Sequence, residues 1–264
     1  MPIDDHSEND TRDLADKAAE LKPRRNLVTE AVDIGKTLAV ALAIAVTVRS
    51  FAFEPFHIPS GSMYPTLEIG DYIFVSKYSY GYSRYSFPFD FPPFSGRVLG
   101  STPERGDVVV FALPTDPSID YVKRVIGLPG DTIETRGGRL FVNGQMVERK
   151  RLDNYPYPEI PGVVRMVPHY QETLPEGREH EILEMHGDTY PADNAGPFKV
   201  PAGHLFMMGD NRDNSQDSRF LGAVGPVPIE NVVGKASFIF FSWNGFSSNP
   251  LEWLRFGRLF HAID

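Results

Sequence analysis

The stretch Ile34 to Phe53, IGKTLAVALAIAVTVRSFAF, limits this chain more than any other, because so continuous an apolar run must be covered by a core or by lipid. Its uncharged centre, Thr37 to Val48, is flanked by Lys36 and Arg49. That centre alone is too short to cross a bilayer, but if both cations snorkel outward the run reaches about 20 residues, enough to span. The sequence therefore predicts a transmembrane anchor over 31–54. The competing readings are a buried core helix in a soluble β protein and a cleaved signal peptide. Against the latter, the run begins more than 30 residues into the sequence and no small-x-small site follows it. Lys22, Arg24, Arg25 and Lys36 lie on its N-terminal side, which the positive-inside rule assigns to the cytoplasm. Residues 1–30 are polar and acidic and read as a disordered cytoplasmic tail, with the rest of the chain across the bilayer.

Beyond the anchor the pattern is one of strands. The 264 residues hold 23 prolines and 23 glycines, which favour strands and turns over helices. Tyr72–Ser76, Asp107–Phe111, Tyr121–Ile126, Arg139–Val142, His204–Met208 and Ala236–Phe241 are short β-rich runs bounded by Gly, Pro and Asp, and Asn143-Gly144 is a hairpin turn. The fold expected is a mainly β, antiparallel catalytic domain interrupted by a smaller α/β cap. The core would occupy 55–149 and 199–264, with the polar, proline-rich cap at 150–198. The aromatic stretch Tyr78 to Phe94 is either a membrane-interface rim or a loop packed on the core. Pro250 to His261 has roughly helical apolar spacing and predicts a short amphipathic helix. A net charge of −9 with no basic patch argues against a nucleic acid partner. The absence of cysteine excludes disulfides, cysteine nucleophiles and thiolate metal sites.

Three segments could carry chemistry. In Pro59-Ser60-Gly61-Ser62-Met63-Tyr64-Pro65, two serines bracket a glycine between prolines, which presents a serine in a fixed pose or forms a plain turn. A nucleophilic serine needs a base, and none of the seven histidines sits in a catalytic signature; His57 is merely near in sequence. Lys123, between Val122 and Arg124, is either a surface lysine or a strand residue whose burial would leave a neutral amine able to accept a proton. Met208 to Arg219, dense in Asp, Asn, Ser and Arg, reads as a loop rigidified by side-chain hydrogen bonds and ion pairs. A calcium loop of the EF-hand type fits it poorly, since Arg212 occupies a ligand position and no glycine follows Asn214.

Together, in this order, the segments resemble the bacterial type I signal peptidases (leader peptidases). The likeness rests on Pro-Ser-Gly-Ser-Met-Tyr-Pro-Thr-Leu (59–67), Gly-Asp-Val-Val-Val-Phe (106–111), Asp-Tyr-Val-Lys-Arg-Val-Ile-Gly-Leu-Pro-Gly-Asp (120–131) and Gly-Asp-Asn-Arg-Asp-Asn-Ser-x-Asp-Ser-Arg (209–219). The resemblance implies a serine endopeptidase that cuts signal peptides from preproteins after a small-x-small site, with Ser62 as nucleophile and Lys123 as general base. It further implies that Ser60 serves the oxyanion together with the Ser62 N–H, and that Ser215 orients Lys123. Arg124, Asp210, Asp217 and Arg219 would brace the site, and Ile58, Met63, Leu67, Tyr121 and Val122 would line substrate pockets. No metal or cofactor is implied. The expected partners are signal peptides, the bilayer and the secretion translocon, with the protein in the inner membrane and its catalytic domain on the periplasmic side. Some family members have a second span or a cysteine pair; this chain reads as one span without cysteine. Two rivals share parts of this pattern: self-cleaving repressors, which carry a DNA-binding domain, and a non-catalytic, membrane-tethered β-domain binding module, which would have lost Ser62 or Lys123.

Overall fold

The computed structural model describes residues 27–87, 94–160, 163–245 and 253–263. The chain divides into two units at Thr47/Val48. Helix α1, Leu27–Phe51, is 25 residues long. At 1.5 Å per residue it measures about 37 Å, longer than the roughly 30 Å hydrocarbon core of a bilayer. Alanine and valine dominate its centre, and the hydroxyls of Thr37 and Thr47 bond back to the carbonyls four residues earlier, so neither is left unsatisfied in apolar surroundings. Leu38, Leu42 and Ile44 are 59–64% exposed, and none of its apolar window is buried. A core helix would hide these side chains, so the core-helix reading fails; length and composition suit a membrane span.

The second unit is built almost wholly of antiparallel strands. Its main sheet has eight: β1 (Phe53–His57), β2 (Asp71–Ser76), β3 (Val108–Leu113), β4 (Asp116–Gly127), β14 (His204–Met208), β15 (Val227–Pro228), β16 (Val232–Ser242) and β17 (His261–Ala262). The order is β1-β2-β16-β3-β4-β14-β15, with β17 also on β16. Strand β3 is buried at every position, because its Val-Val-Val-Phe-Ala-Leu run is covered on both faces. Ile73, Val75, Val108, Val110, Ala236 and Ile239 make one core; Val109, Phe111, Val125 and Met207 belong to a second, on the alternate positions.

A smaller sheet, order β13-β5-β6-β7, joins β5 (Thr132–Arg136), β6 (Arg139–Val142), β7 (Gln145–Met146) and β13 (Ala195–Lys199). Asn143 and Gly144 have φ of 53° and 79° between β6 and β7, the left-handed pair that a two-residue hairpin needs. The inserted region adds β8 (Glu148–Arg151), β11 (His169–Thr173) and β12 (Glu179–Leu183) as one sheet, and β9 (Tyr155–Ile160) with β10 (Val163–Val167) as a ribbon. Its helical content among the described residues is one turn, Pro191–Asp193.

The C-terminal helix expected over 250–261 does not form in the described part. Phe256–Arg258 is a single turn and β17 pairs with β16, Phe238 opposite Ala262. Two arginines decide this: Arg258 reaches Asp71 and Glu68, and Arg255 reaches Glu68, fixing the segment to the β1–β2 connection. Residues 250–252 lie outside the described residues, as do 88–93 of the aromatic stretch. Within the latter, Tyr80 is buried and donates to Asp107, Tyr78 is 56% exposed, and Tyr82 bonds the Phe51 carbonyl.

Candidate active site

The turn after β1 carries Ser62 into the interior. Gly61 permits it: a Cβ there would lie 2.8 Å from the Tyr157 hydroxyl of the inserted region, too close for any side chain. The backbone on either side is clamped by Asn211, whose N–H donates to the Ser62 carbonyl at 3.1 Å and whose side-chain amide donates to the Gly61 carbonyl at 3.0 Å. Lys123 enters from β4, opposite Val109 of β3. Its Nζ lies 2.8 Å from Ser62 Oγ and donates to the Val122 carbonyl at 2.9 Å. Both residues are buried, Ser62 at 7% exposure and Lys123 at 4%. Burial pushes the Lys123 ammonium down from 10.5 to about 8; Asp217 and Asp210 pull the other way and lose. The site thus pairs a fixed hydroxyl with an amine that deprotonates near neutral pH.

Beneath it, Arg124 forms two parallel bonds to Asp210, 2.9 and 2.8 Å, both residues 1% exposed. Thr66 caps the same carboxylate at 2.6 Å. Asp217 is held by Arg219 at 2.9 Å on each oxygen and by the Gly209 N–H at 3.0 Å. Burial alone would push the Asp217 carboxyl up, but Arg219 and the hydrogen bonds outweigh it and hold it below the ordinary range. The expected brace is therefore two separate bidentate pairs. Both of those carboxylates are thus taken by arginine.

A cleft of ≈ 580 Å³ opens over the pair. Ile58, Ser60, Tyr121, Val122 and Ser215 line it, with Ser62 and Lys123 at its floor. Ser60 is exposed, its Oγ 3.4 Å from Ser62 Oγ. Two expectations fail. Met63 and Leu67 do not reach the cleft: both are 0% exposed and pack in the core with Ile73 and Val75, because the chain turns inward after Ser62. Ser215 lines the cleft, but no hydrogen bond joins it to Lys123; its buried hydroxyl sits beside Asp217 and helps to hold that carboxyl low. The amine's second bond goes instead to its own neighbour's carbonyl, Val122.

Several residues of the site escaped the sequence reading. Thr66 and Asn211 sit inside the motifs but bond groups 144 and 150 residues away. Val110, Gln216 and Phe220 join the cleft wall, and Tyr190 of the inserted region does too. Only Val110, on the face of β3 that alternates with the buried Val109, left a signal in the strand pattern. His57 lines the cleft against the Tyr72 ring, 4.8 Å between centroids, and makes no hydrogen bond to Ser62.

With this geometry in view, comparison with known proteins is decisive. The family model for signal peptidase, peptidase S26, matches residues 31–243. The chain belongs to the signal peptidase family. A signal peptidase I from Pseudomonas aeruginosa is 43% identical over 221 residues, 80% of this chain and 73% of the relative. One from Pseudomonas fluorescens is 46% identical over 222 residues, with the same shares. One from Rickettsia typhi is 45% identical over 210 residues, 76% of each chain. The matched span begins inside the apolar helix and ends just past β16, so it contains every residue of the signal peptidase-like cleft named above.

Proposed function

We propose that this chain is a membrane-anchored serine endopeptidase that removes N-terminal signal peptides from exported preproteins, with Ser62 as nucleophile and Lys123 as general base. One observation carries the reading: a buried amine with a lowered proton affinity stands 2.8 Å from a buried serine hydroxyl at the floor of a cleft. A non-catalytic binding module has no use for that arrangement.

In the uncharged state the Lys123 lone pair accepts the Ser62 O–H. As Oγ bonds to the scissile carbonyl carbon, the proton passes to Nζ. The developing oxyanion takes hydrogen bonds from the Ser60 hydroxyl and the Ser62 N–H. Lys123 then returns the proton to the departing amine, which leaves as the mature N-terminus and an acyl-enzyme on Ser62 remains. Water, deprotonated by the same amine, attacks the ester and frees the signal peptide. Arg124–Asp210 and Arg219–Asp217 hold the strand and loop that carry these groups.

Selectivity follows from the walls. Ile58, Tyr121, Val122 and Val110 leave shallow apolar recesses that admit alanine-sized side chains and exclude larger ones by overlap, which suits small-x-small sites. The substrate would lie extended between the segments Phe56–Ser60 and Ile119–Val122, bonding through its backbone. With the cationic end of the helix in the cytoplasm, the catalytic unit faces the outer side of the inner membrane, where preproteins arrive from the secretion translocon.

The test is cleavage of a purified preprotein in detergent by wild type, Ser62→Ala and Lys123→Ala. Cutting after a small-x-small site by wild type alone, with both variants folded, supports the assignment. Substantial activity in Lys123→Ala places the base elsewhere, and failure of wild type on several preproteins sinks the enzymatic reading.

A further inference from the structure

The inserted region reaches the Ser62 turn through one side chain. Along β9, Pro156 and Pro158 are exposed, whereas Tyr157 between them faces the other side of the ribbon and is 6% exposed. Its ring packs with Tyr64, Val167 and Leu183, and lies edge-on to the Tyr64 ring with 5.1 Å between centroids. Tyr64 closes the Ser62 turn, its N–H donating to the Gly61 carbonyl at 3.3 Å. A phenylalanine would fill the same space with no polar group to satisfy, so packing alone does not account for the hydroxyl.

What the hydroxyl touches does account for it. It accepts the Asn214 side-chain amide at 3.2 Å, and it stands 2.8 Å from where a Cβ of Gly61 would be. Asn214 lines the cleft, and its N–H donates to the Asn211 carbonyl at 3.1 Å. Asn211 in turn grips the carbonyls of Gly61 and Ser62. The turn is therefore held at its carbonyls by Asn211 and met at Gly61 from a second direction by a phenol that is also bonded to the same loop. Without the second contact the turn has room to shift, and the hydroxyl of Ser62 shifts with it.

We infer that Tyr157 is a positioning residue for Ser62, its hydroxyl seated against Gly61 and bonded to Asn214, so that the inserted region takes part in fixing the nucleophile. The inference rests on the assignment of Ser62 made above.

The test is a double-mutant cycle of preprotein cleavage by the full chain in detergent, with Tyr157→Phe, Gly61→Ala and the two combined. Tyr157→Phe keeps the ring and should lower kcat about 5–10-fold with KM unchanged. The pH midpoint should not move, because Lys123 is untouched and burial raises the Tyr157 phenol, which stays protonated. Gly61 has no left-handed φ, so an alanine there is strained by its neighbours and not by its own backbone. Gly61→Ala should lower kcat about 10²-fold, as the new methyl meets the hydroxyl and displaces the turn by about 1 Å. With the hydroxyl removed by Tyr157→Phe, the same change should cost less than about tenfold, so the double variant outperforms Gly61→Ala. A residue that only stabilises the fold gives no such rescue. The inference is overturned if Tyr157→Phe cleaves as wild type does, if its loss falls on KM, or if Gly61→Ala is as damaging with the hydroxyl absent as with it present. Should Gly61→Ala not fold, the split between kcat and KM in Tyr157→Phe decides alone. Inactive wild type would sink the Ser62 assignment and this inference together; active wild type with an unaffected Tyr157→Phe sinks this inference only.

Discussion

Changing the pH titrates the proposed base directly, and the structure fixes the size of the effect. Lys123 falls from 10.5 to about 8. That lowering gives roughly 300-fold more free amine at neutral pH than an ordinary lysine would have. If only the neutral amine is active, kcat/KM should be about 1% of its plateau at pH 6, about 9% at pH 7 and half-maximal near pH 8. Below the midpoint it should fall tenfold per pH unit. The assay is initial-rate cleavage of a short peptide with an Ala-x-Ala site, at substrate well below KM, so that the profile reports the free enzyme. Circular dichroism at each pH would separate loss of the base from loss of fold. A rise centred near 6.5 would point to a histidine, with His57 the one in the cleft, and a flat profile between pH 6 and 9 would refute the reasoning altogether.

The same lysine should cost stability. Its folded value lies below the unfolded one, so under pH 8 the folded state bears the full penalty of about 3 kcal/mol, and the penalty fades as pH rises from 8 to 10.5. Lys123→Met should therefore raise stability at pH 7 by up to about 3 kcal/mol in denaturant titrations, the gap to wild type closing by about pH 10.5. Gly209→Ala should inactivate by displacement, since the new Cβ would sit 2.2 Å from Ser215 Oγ and 2.5 Å from the Ser62 carbonyl. A shift of about 1 Å at the nucleophile predicts a loss near 10²-fold in kcat, and unchanged kcat would show that the loop yields instead. Ser60→Ala should lower kcat by roughly 10²–10³ with little change in KM, the signature of a lost oxyanion donor; an effect on KM alone would assign Ser60 to substrate binding.

Much of the fold was legible because strands announce themselves locally. Arg139–Val142 and His204–Met208 are strands at the residues their β-branched and apolar content marks, and Asn143-Gly144 makes its turn. The proposed nucleophile and base were legible only through motif likeness; neither periodicity nor spacing places Lys123 against a serine 61 residues away. Met63 and Leu67 were misplaced for a related reason. Inside a turn there is no two- or 3.6-residue period to say which side chain faces a cleft and which faces the core. Ser215 lies at a motif position, yet a hydrogen bond depends on where the hydroxyl points, which sequence does not encode. The C-terminal segment shows the opposite failure: its apolar spacing suits a helix, but bonds from Arg255 and Arg258 to Glu68 and Asp71 override local preference.

The clamp of Asn211 on the Ser62 turn has a consequence for how such a protein comes into being. Its side-chain bond to Gly61 joins groups 150 residues apart. During synthesis the serine emerges long before its clamp does, and through that interval its turn lacks the two bonds that fix it. Closing so distant a contact is among the slower events of folding. The Ser62 turn thus stays unset until the 209–219 loop has been made and has docked on it. The order of the residues along the chain thereby delays the finished site until nearly all of the second unit has been made.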